Sequence, residues 1–144
     1  MTHRLCLSKN NTGNLIRIKM SKKCVFCNLQ KKDKTVDGKL AFILEDHFPV
    51  TKHHSLIIPK RHFEDYFDIS EEELLEINHL LKLRKEQILS KDKTVTGFNI
   101  GINVGSDAGQ SVFHLHVHLI PRRSGDLENP KGGVRGVIPS KRNY

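Results

Sequence analysis

The chain has 144 residues, of which 37% are hydrophobic and 28% charged, and its formal net charge at pH 7 is +8. This length predicts one domain with a core that needs no disulfides. No apolar run reaches membrane-spanning length, and residues 1–20 are polar and basic rather than signal-peptide-like, so we expect a cytoplasmic protein without a membrane partner. The net positive charge suits a polyanionic ligand, whether nucleotide, polyphosphate or nucleic acid. Aromatic residues are only 6% of the chain, which argues against nucleic acid as the partner because base-stacking platforms are aromatic.

The predicted elements start with a basic segment over residues 1–20, which contains a short edge strand at Leu15–Ile18. A single domain follows over residues 21–144, with a tail from about residue 125. Asp37-Gly38 is typical of a hairpin turn. Four further segments have the composition of strands, namely residues 40–45, 55–58, 94–103 and 111–120. Strands around one long helix, followed by a hairpin of strands, indicate an α+β fold with an antiparallel sheet.

The long helix is predicted over residues 71–89. Ser70 and Glu73 form a capping box at its start, since each side chain can satisfy a free amide of the first turn. Apolar residues then recur near helical spacing and predict the face turned to the core, namely Leu74, Ile77, Leu81 and Ile88.

Two cysteines lie close together near the start of the domain. Cys24 and Cys27 are spaced Cys-x-x-Cys, and we expect them to open a short N-terminal helix. A disulfide is disfavoured in a cytoplasmic protein. Metal binding, a redox role and no function all stay open for such a pair, although redox pairs usually follow a strand.

Three histidines alternate along the predicted strand at residues 111–120. Successive side chains of a strand point to opposite faces, so His114, His116 and His118 share one face and the apolar residues between them share the other. Imidazole titrates near neutral pH, which suits this face to catalysis. A purely structural role and a zinc cradle built on His-x-His are the alternatives.

A loop of small and polar residues, Gly105–Gly109, leads into the histidine strand. Glycines let the backbone approach a ligand, and successive amides can form a nest for an anion. A simple hairpin turn is the alternative for this loop. Its position beside the histidines favours a phosphate site.

The residues from Asn103 to Arg122 resemble the signature of the histidine triad superfamily, Asn-x-Gly-x-x-x-Gly-Gln-Ser-Val-x-His-x-His-x-His-x-x-Pro-Arg. Residues 51–62 are also similar to the family's Gly-His-x-Leu-x-Ile-Pro-Lys strand, with His53 where glycine is usual. The resemblance covers roughly residues 24–125. It implies the histidine triad fold and a homodimer in which two antiparallel sheets join edge to edge.

The resemblance also implies roles for individual residues. His116 is the expected nucleophile, which attacks the α-phosphorus of a nucleotide, and His54 is expected to orient its ring. Contacts to the nucleotide and its phosphate are implied for Asn103, Gly109, Gln110, Ser111, His118 and Asp46, with Ser111 and His118 also counted as catalytic. Asp46 corresponds to the acidic residue that binds the ribose hydroxyls, although a solvated turn residue is the alternative. Leu44 and His47 are expected to flank the base.

Bacterial members with the same cysteine pair complete a zinc site with two histidines. The resemblance therefore implies a structural Cys₂His₂ zinc site formed by Cys24, Cys27, His62 and His114. Cys6 lies outside this pattern, and we expect it to be inert.

The segment from Pro121 to Asp126 and the tail resemble the dinucleoside polyphosphate hydrolases of the superfamily. Arg122, Arg123 and Arg135 are candidates for extra phosphates, with solvated surface charge as the alternative. The expected activity is hydrolysis of dinucleoside polyphosphates or nucleoside phosphoramidates to a nucleoside monophosphate. A nucleotide-binding regulator with little turnover is the alternative. A nucleic-acid-end processor is a weaker one, because no zinc-finger pattern follows the triad.

Overall fold

The computed structural model of the chain describes residues 24–143 and, before them, the strands Cys6–Lys9 and Leu15–Ile18. The first two strands, β1 and β2, pair with each other, and β2 has the predicted bounds. The later elements are β3 Val36–Asp37, β4 Ala41–Glu45, β5 Ser55–Pro59, helix α1 Glu71–Lys91, β6 Val95–Gly101 and β7 Val117–Arg123. Strands β3 to β7 form a five-stranded antiparallel sheet in the order β3-β4-β5-β7-β6. The predicted α+β fold is confirmed.

Helix α1 covers one face of this sheet. Its capping box is present as predicted, because the Ser70 side chain accepts from the Glu73 amide and Glu73 accepts from the Ser70 amide. The helix contributes Ile77, Leu80 and Ile88 to a core that includes inward-facing residues of the sheet. Burial of these apolar side chains drives the packing of the helix on the sheet.

The predicted core-facing side of the helix needs one correction. Leu74 is 41% exposed, whereas Leu80 and Arg84 are buried. The buried face is therefore rotated toward Arg84, a charged residue that periodicity cannot assign to a core.

The opposite face of the sheet carries a second apolar cluster. Phe42, Leu44, Leu56 and Ile58 form it, with Phe26 packed against them. Leu56 of β5 is directly opposite His118 of β7. Residues opposite each other in an antiparallel pair share a face, so His118 lies on the side of the sheet away from the helix.

Two local predictions are wrong. The histidine strand begins only at Val117, so His114 and His116 lie in the irregular segment that leads into β7. Residues 25–28 form a turn rather than a helix, and the short helix that follows is a 3-10 turn at Lys31–Asp33. Within the described part of the chain, no helix is long and apolar enough to cross a membrane.

Candidate functional site

The three histidines do not act as one group. His114 Nε2 lies 2.8 Å from the Pro59 carbonyl oxygen, and His116 Nδ1 lies 2.8 Å from the carbonyl oxygen of His114. A carbonyl can only accept a hydrogen bond, so each of these ring nitrogens carries the proton. The neutral His116 ring therefore has its lone pair on Nε2, and the neutral His114 ring has its lone pair on Nδ1.

His118 pairs with His54, which immediately precedes the neighbouring strand β5. The His54 Nε2 atom lies 2.9 Å from His118 Nδ1, and the Val50 amide donates to His54 Nδ1 at 3.1 Å. Because the amide can only donate, neutral His54 carries its proton on Nε2 and gives it to His118 Nδ1. His118 is then left with a proton on Nε2. The His116 and His118 ring centroids are 5.0 Å apart, so a lone pair and an N–H donor lie on neighbouring rings.

Burial keeps these imidazoles neutral. Burial, followed by the proximity of His116 and His54, lowers the pKa of His118 to about 4. The pKa of His54 is also lowered by burial, which outweighs the opposing charge of Asp46. Removal from water disfavours the charged form of a histidine. A neutral ring is what both the hydrogen-bond chain and a nitrogen nucleophile need.

The loop before the histidines forms a tight turn. Gly105 and Gly109 have φ angles of 84° and 86° and flank a 3-10 turn at Ser106–Ala108. These angles favour glycine because it lacks a Cβ. Ser111 is exposed after this turn and Asn103 is half-buried before it, 3.5 Å from the Gly109 carbonyl.

The Gln110 side chain differs from its expected position. It is buried, its oxygen accepts from the Gly105 amide at 2.8 Å, and its nitrogen donates to the carbonyls of Glu64 and Val112. The side chain thus braces the loop from inside, and both its amide oxygen and its amide nitrogen are already hydrogen-bonded within the protein.

Asp46 lies between the histidine pair and an open cavity. One of its oxygens accepts from the Phe48 amide at 2.9 Å, and the other lies 3.5 Å from His54 Nδ1. The cavity measures about 550 Å³, and Leu44 and His47 line it together with Asp46. The structure thus brings together the three residues that were expected around the nucleoside.

Two cysteines and two histidines that are far apart in sequence converge beside this site. His114 Nδ1 lies 3.4 Å from Cys24 Sγ, 3.5 Å from Cys27 Sγ and 3.2 Å from His62 Nδ1, and Cys27 Sγ lies 3.4 Å from His62 Nδ1. Burial and the neighbouring Cys24 raise the pKa of the Cys27 thiol to about 12. A cation between the sulfurs would favour their ionised form.

These separations fit a zinc ion. Tetrahedral coordination at usual zinc bond lengths separates sulfur from nitrogen by about 3.5 Å and nitrogen from nitrogen by about 3.3 Å. His114 also donates its Nε2 proton to the Pro59 carbonyl, as metal-bound histidines commonly do with the ring nitrogen that does not bind the metal. Asp46, His54 and His118 also lie within 4.8 Å of one another, but an ion there would displace the hydrogen bond between the two imidazoles.

Phe26 is a residue of the site that the sequence did not reveal. Its ring meets the edge of His116 at 5.4 Å between centroids and that of His114 at 5.8 Å. The signal was its position between Cys24 and Cys27, since both cysteines lie against His114 and so bring Phe26 to the histidines.

The arginines after the triad are engaged within the protein. Arg122 binds both oxygens of Asp126 at 2.7 and 2.8 Å, and Arg123 binds Asp92 at 2.8 Å. Arg135 donates to a carbonyl of the tail at 3.0 Å. These contacts brace the end of β7 and the tail and favour a structural role for the arginines over contacts to extra phosphates.

Residues 28–125 match the family model of the HIT domain. The chain belongs to the histidine triad family. An uncharacterized HIT-like protein of Saccharolobus solfataricus is 36% identical over 128 residues, which cover 84% of this chain and 89% of that protein. The nitrilase and fragile histidine triad fusion protein of Caenorhabditis elegans is 36% identical over 87 residues, which cover 60% of this chain and 20% of the fusion.

Among solved structures, a Zn-bound histidine triad family protein from Mycobacterium smegmatis superposes with a TM-score of 0.66 at 32% identity, covering 74% of this chain and 80% of that one. Histidine triad proteins are in general nucleotide-binding hydrolases or transferases.

Proposed function

We propose that the chain is a nucleotide hydrolase that cleaves dinucleoside polyphosphates or nucleoside phosphoramidates at the α-phosphate. The observation that carries this proposal is the hydrogen bond from His116 Nδ1 to the His114 carbonyl. It leaves Nε2 of a buried imidazole with a free lone pair, on a ring that neighbours His118 and follows the glycine loop in sequence. A nitrogen nucleophile held in one orientation, preceded by a loop of the kind that binds anions, suits phosphorus chemistry.

The reaction runs in two displacements. The His116 Nε2 lone pair attacks the α-phosphorus, and the bond to the leaving oxygen or nitrogen breaks with its electron pair. A polyphosphate leaves as an anion, whereas an amine must take up a proton as it leaves. We propose that this proton comes from water and passes through the Ser111 hydroxyl. Water then attacks the phosphorus, loses a proton to solvent, and returns the P–N electron pair to His116. The monophosphate keeps the oxygen of that water.

The neighbouring groups stabilise the charges of these steps. His116 keeps its Nδ1 proton throughout, so the nucleotidylated ring is cationic and faces the His114 carbonyl. His118 donates its Nε2 proton to a phosphate oxygen, and His54 fixes that tautomer. We assign the remaining phosphate and nucleotide contacts to the loop at Gly109 and Ser111, with Asn103 and with Asp46 at the ribose. Single preorganised donors of this kind contribute a few kcal/mol to transition-state stabilisation.

The dinucleoside polyphosphate branch is supported by the segment from Pro121 to Asp126 and by the similarity to a fragile histidine triad fusion protein. The alternative is a nucleotide-binding regulator with little turnover. Full nucleotide affinity without turnover of any substrate would favour it.

The test is a panel of adenylated substrates, with mass spectrometry to detect nucleotidylated protein. Wild type should hydrolyse diadenosine tetraphosphate or adenosine phosphoramidate and accumulate adenylate on His116. His116→Ala should lose activity by several orders of magnitude and carry no adenylate. Near-wild-type hydrolysis by His116→Ala would reject the assigned nucleophile.

We further propose that zinc occupies the cluster of Cys24, Cys27, His62 and His114 in a structural role. The ion would neutralise two thiolates and tie the cysteine turn to the segment before β7. His114 faces this cluster through Nδ1 and orients His116 through its carbonyl, so the site would hold the nucleophile in place. The similarity to a Zn-bound family member supports this proposal.

Two further proposals concern assembly and compartment. We propose a homodimer whose sheets join at β6, because β6 spans seven residues at a sheet edge whereas β3, at the other edge, spans two. Sedimentation of a monomer at micromolar concentration would contradict it. Free thiols as metal ligands suit a reducing compartment, which supports a cytoplasmic location. The boundary at residue 21 and the role of Cys6, whose side chain lies outside the described residues, stay predictions.

A further inference from the structure

Arg84 of helix α1 is a charged residue in the core. It is 1% exposed and lies under the strand that leads out of the His54 turn. Its Nε donates to Ser55 Oγ at 2.9 Å, and its guanidinium also binds Glu45 and Gln87. A buried charge is costly unless it is paired and hydrogen-bonded. Glu45 balances the charge, but the bond to Ser55 has a separate consequence.

The bond from Arg84 sets the direction of the next hydrogen bond. Ser55 is fully buried, and its hydroxyl has one proton to give. Arg84 can only donate, so the Ser55 oxygen accepts from it and the proton goes to the His53 carbonyl, 2.9 Å away. A hydroxyl that accepts from a cation donates more strongly. Arg84 is therefore linked to the His53 carbonyl by two hydrogen bonds that share the Ser55 hydroxyl.

The backbone at His53 is strained. Its φ angle is 71°, in the left-handed region where a side chain costs free energy relative to glycine. The His53 carbonyl that Ser55 holds belongs to the same peptide group as the His54 nitrogen. That nitrogen donates to the Thr51 carbonyl at 3.0 Å, which closes the turn. The direction of the His54 ring thus depends on a conformation that histidine at position 53 does not favour.

We propose that Arg84 is a positioning residue, which acts through Ser55 to hold the left-handed turn at His53 and so aims the His54 ring at His118. The helix thereby holds the His54 ring where the Val50 amide and His118 fix its tautomer. The proposal rests on the proposed function only in counting His54 and His118 among the catalytic groups. Arg84 itself is too buried to touch a substrate.

The test uses variants of the full chain that break one link at a time. Ser55→Ala removes the hydrogen bond to the His53 carbonyl but keeps the ion pair of Arg84 and Glu45. Glu45→Gln is the matched control, because it weakens the charge pair and leaves the Ser55 link. His53→Gly, alone and combined with Ser55→Ala, relieves the strained backbone. The readouts are long-range ¹H–¹⁵N NMR of the imidazoles without substrate, the urea midpoint, and kcat and KM for diadenosine tetraphosphate.

We expect Ser55→Ala to give mixed tautomers at His54 and His118, and to lower kcat roughly tenfold with less than about a twofold change in KM. Adding His53→Gly should restore most of the wild-type tautomer population and most of kcat, since glycine adopts the left-handed conformation of this turn without the Ser55 hydrogen bond. Glu45→Gln should retain the wild-type tautomers even if its urea midpoint falls. Wild-type imidazole spectra in Ser55→Ala, equal effects of Ser55→Ala and Glu45→Gln, or no recovery with His53→Gly would each overturn the proposal. If wild type hydrolyses nothing, the proposed function fails, and the imidazole spectra still decide whether the link through Ser55, on which the role of Arg84 depends, orients the histidine pair.

Discussion

Acidification should destabilise the fold through His118. Burial, followed by the proximity of His116 and His54, lowers the pKa of His118 to about 4 from its ordinary value of 6.5. Between these two values the unfolded chain binds a proton at this position that the folded chain does not bind. The free energy of unfolding is therefore highest above pH 6.5 and falls as the pH drops toward 4, by at most about 1.4 kcal/mol per pH unit for one group.

From about pH 7 to about pH 5, this one group removes at most about 2 kcal/mol from the free energy of unfolding, and solvent screening of the half-buried ring reduces that amount. The lowered pKa of His54 acts in the same direction, so a matched variant is needed to isolate His118. Urea unfolding of wild type and His118→Gln at both pH values supplies that comparison. The variant should lose less stability between the two pH values. Equal losses in both proteins would refute the claim that a depressed His118 pKa is linked to folding.

Three further outcomes follow from the packing and the site. Cys27→Ser should remove most of the bound zinc on elemental analysis and lower the melting temperature by several degrees, and an unchanged zinc content would refute the assigned ligand set. Ile77→Ala should cost about 2–4 kcal/mol in urea unfolding because the side chain is fully packed, whereas Leu74→Ala should cost less than about 1 kcal/mol because Leu74 is exposed. Arg122→Gln should leave KM for diadenosine tetraphosphate within about twofold of wild type, since Asp126 already occupies its guanidinium; a large rise in KM would assign it to the phosphate chain after all.

Most of the fold could be predicted from local signals. The capping box at Ser70 and Glu73 marks the helix start because its hydrogen bonds join residues three apart. Asp37-Gly38 marks the hairpin of β3 and β4 for a similar reason. The strands were predicted with errors at their ends. The largest error was in the histidine segment, where alternation suggested a strand but a contact to the distant Cys24 holds His114 before the strand begins.

The sequence predicted candidate residues for the site, and their detailed contacts come from the structure. The spacing of the signature identified the histidines, the glycine loop and the cysteine pair. The inward turn of Gln110 and the contact of Phe26 with His116 depend on neighbours more than 40 residues away. No local pattern carries that information.

The sequence by itself determined the helix, the hairpin, the antiparallel class of the sheet and the set of chemically able side chains, because these follow from periodicity, turn chemistry and motif spacing. Only the tertiary structure decided which nitrogen of each imidazole carries the proton, that Arg84 is buried, and that His53 is left-handed. The physical reason is that a proton's position depends on what lies across the hydrogen bond, and that partner is brought there by the fold.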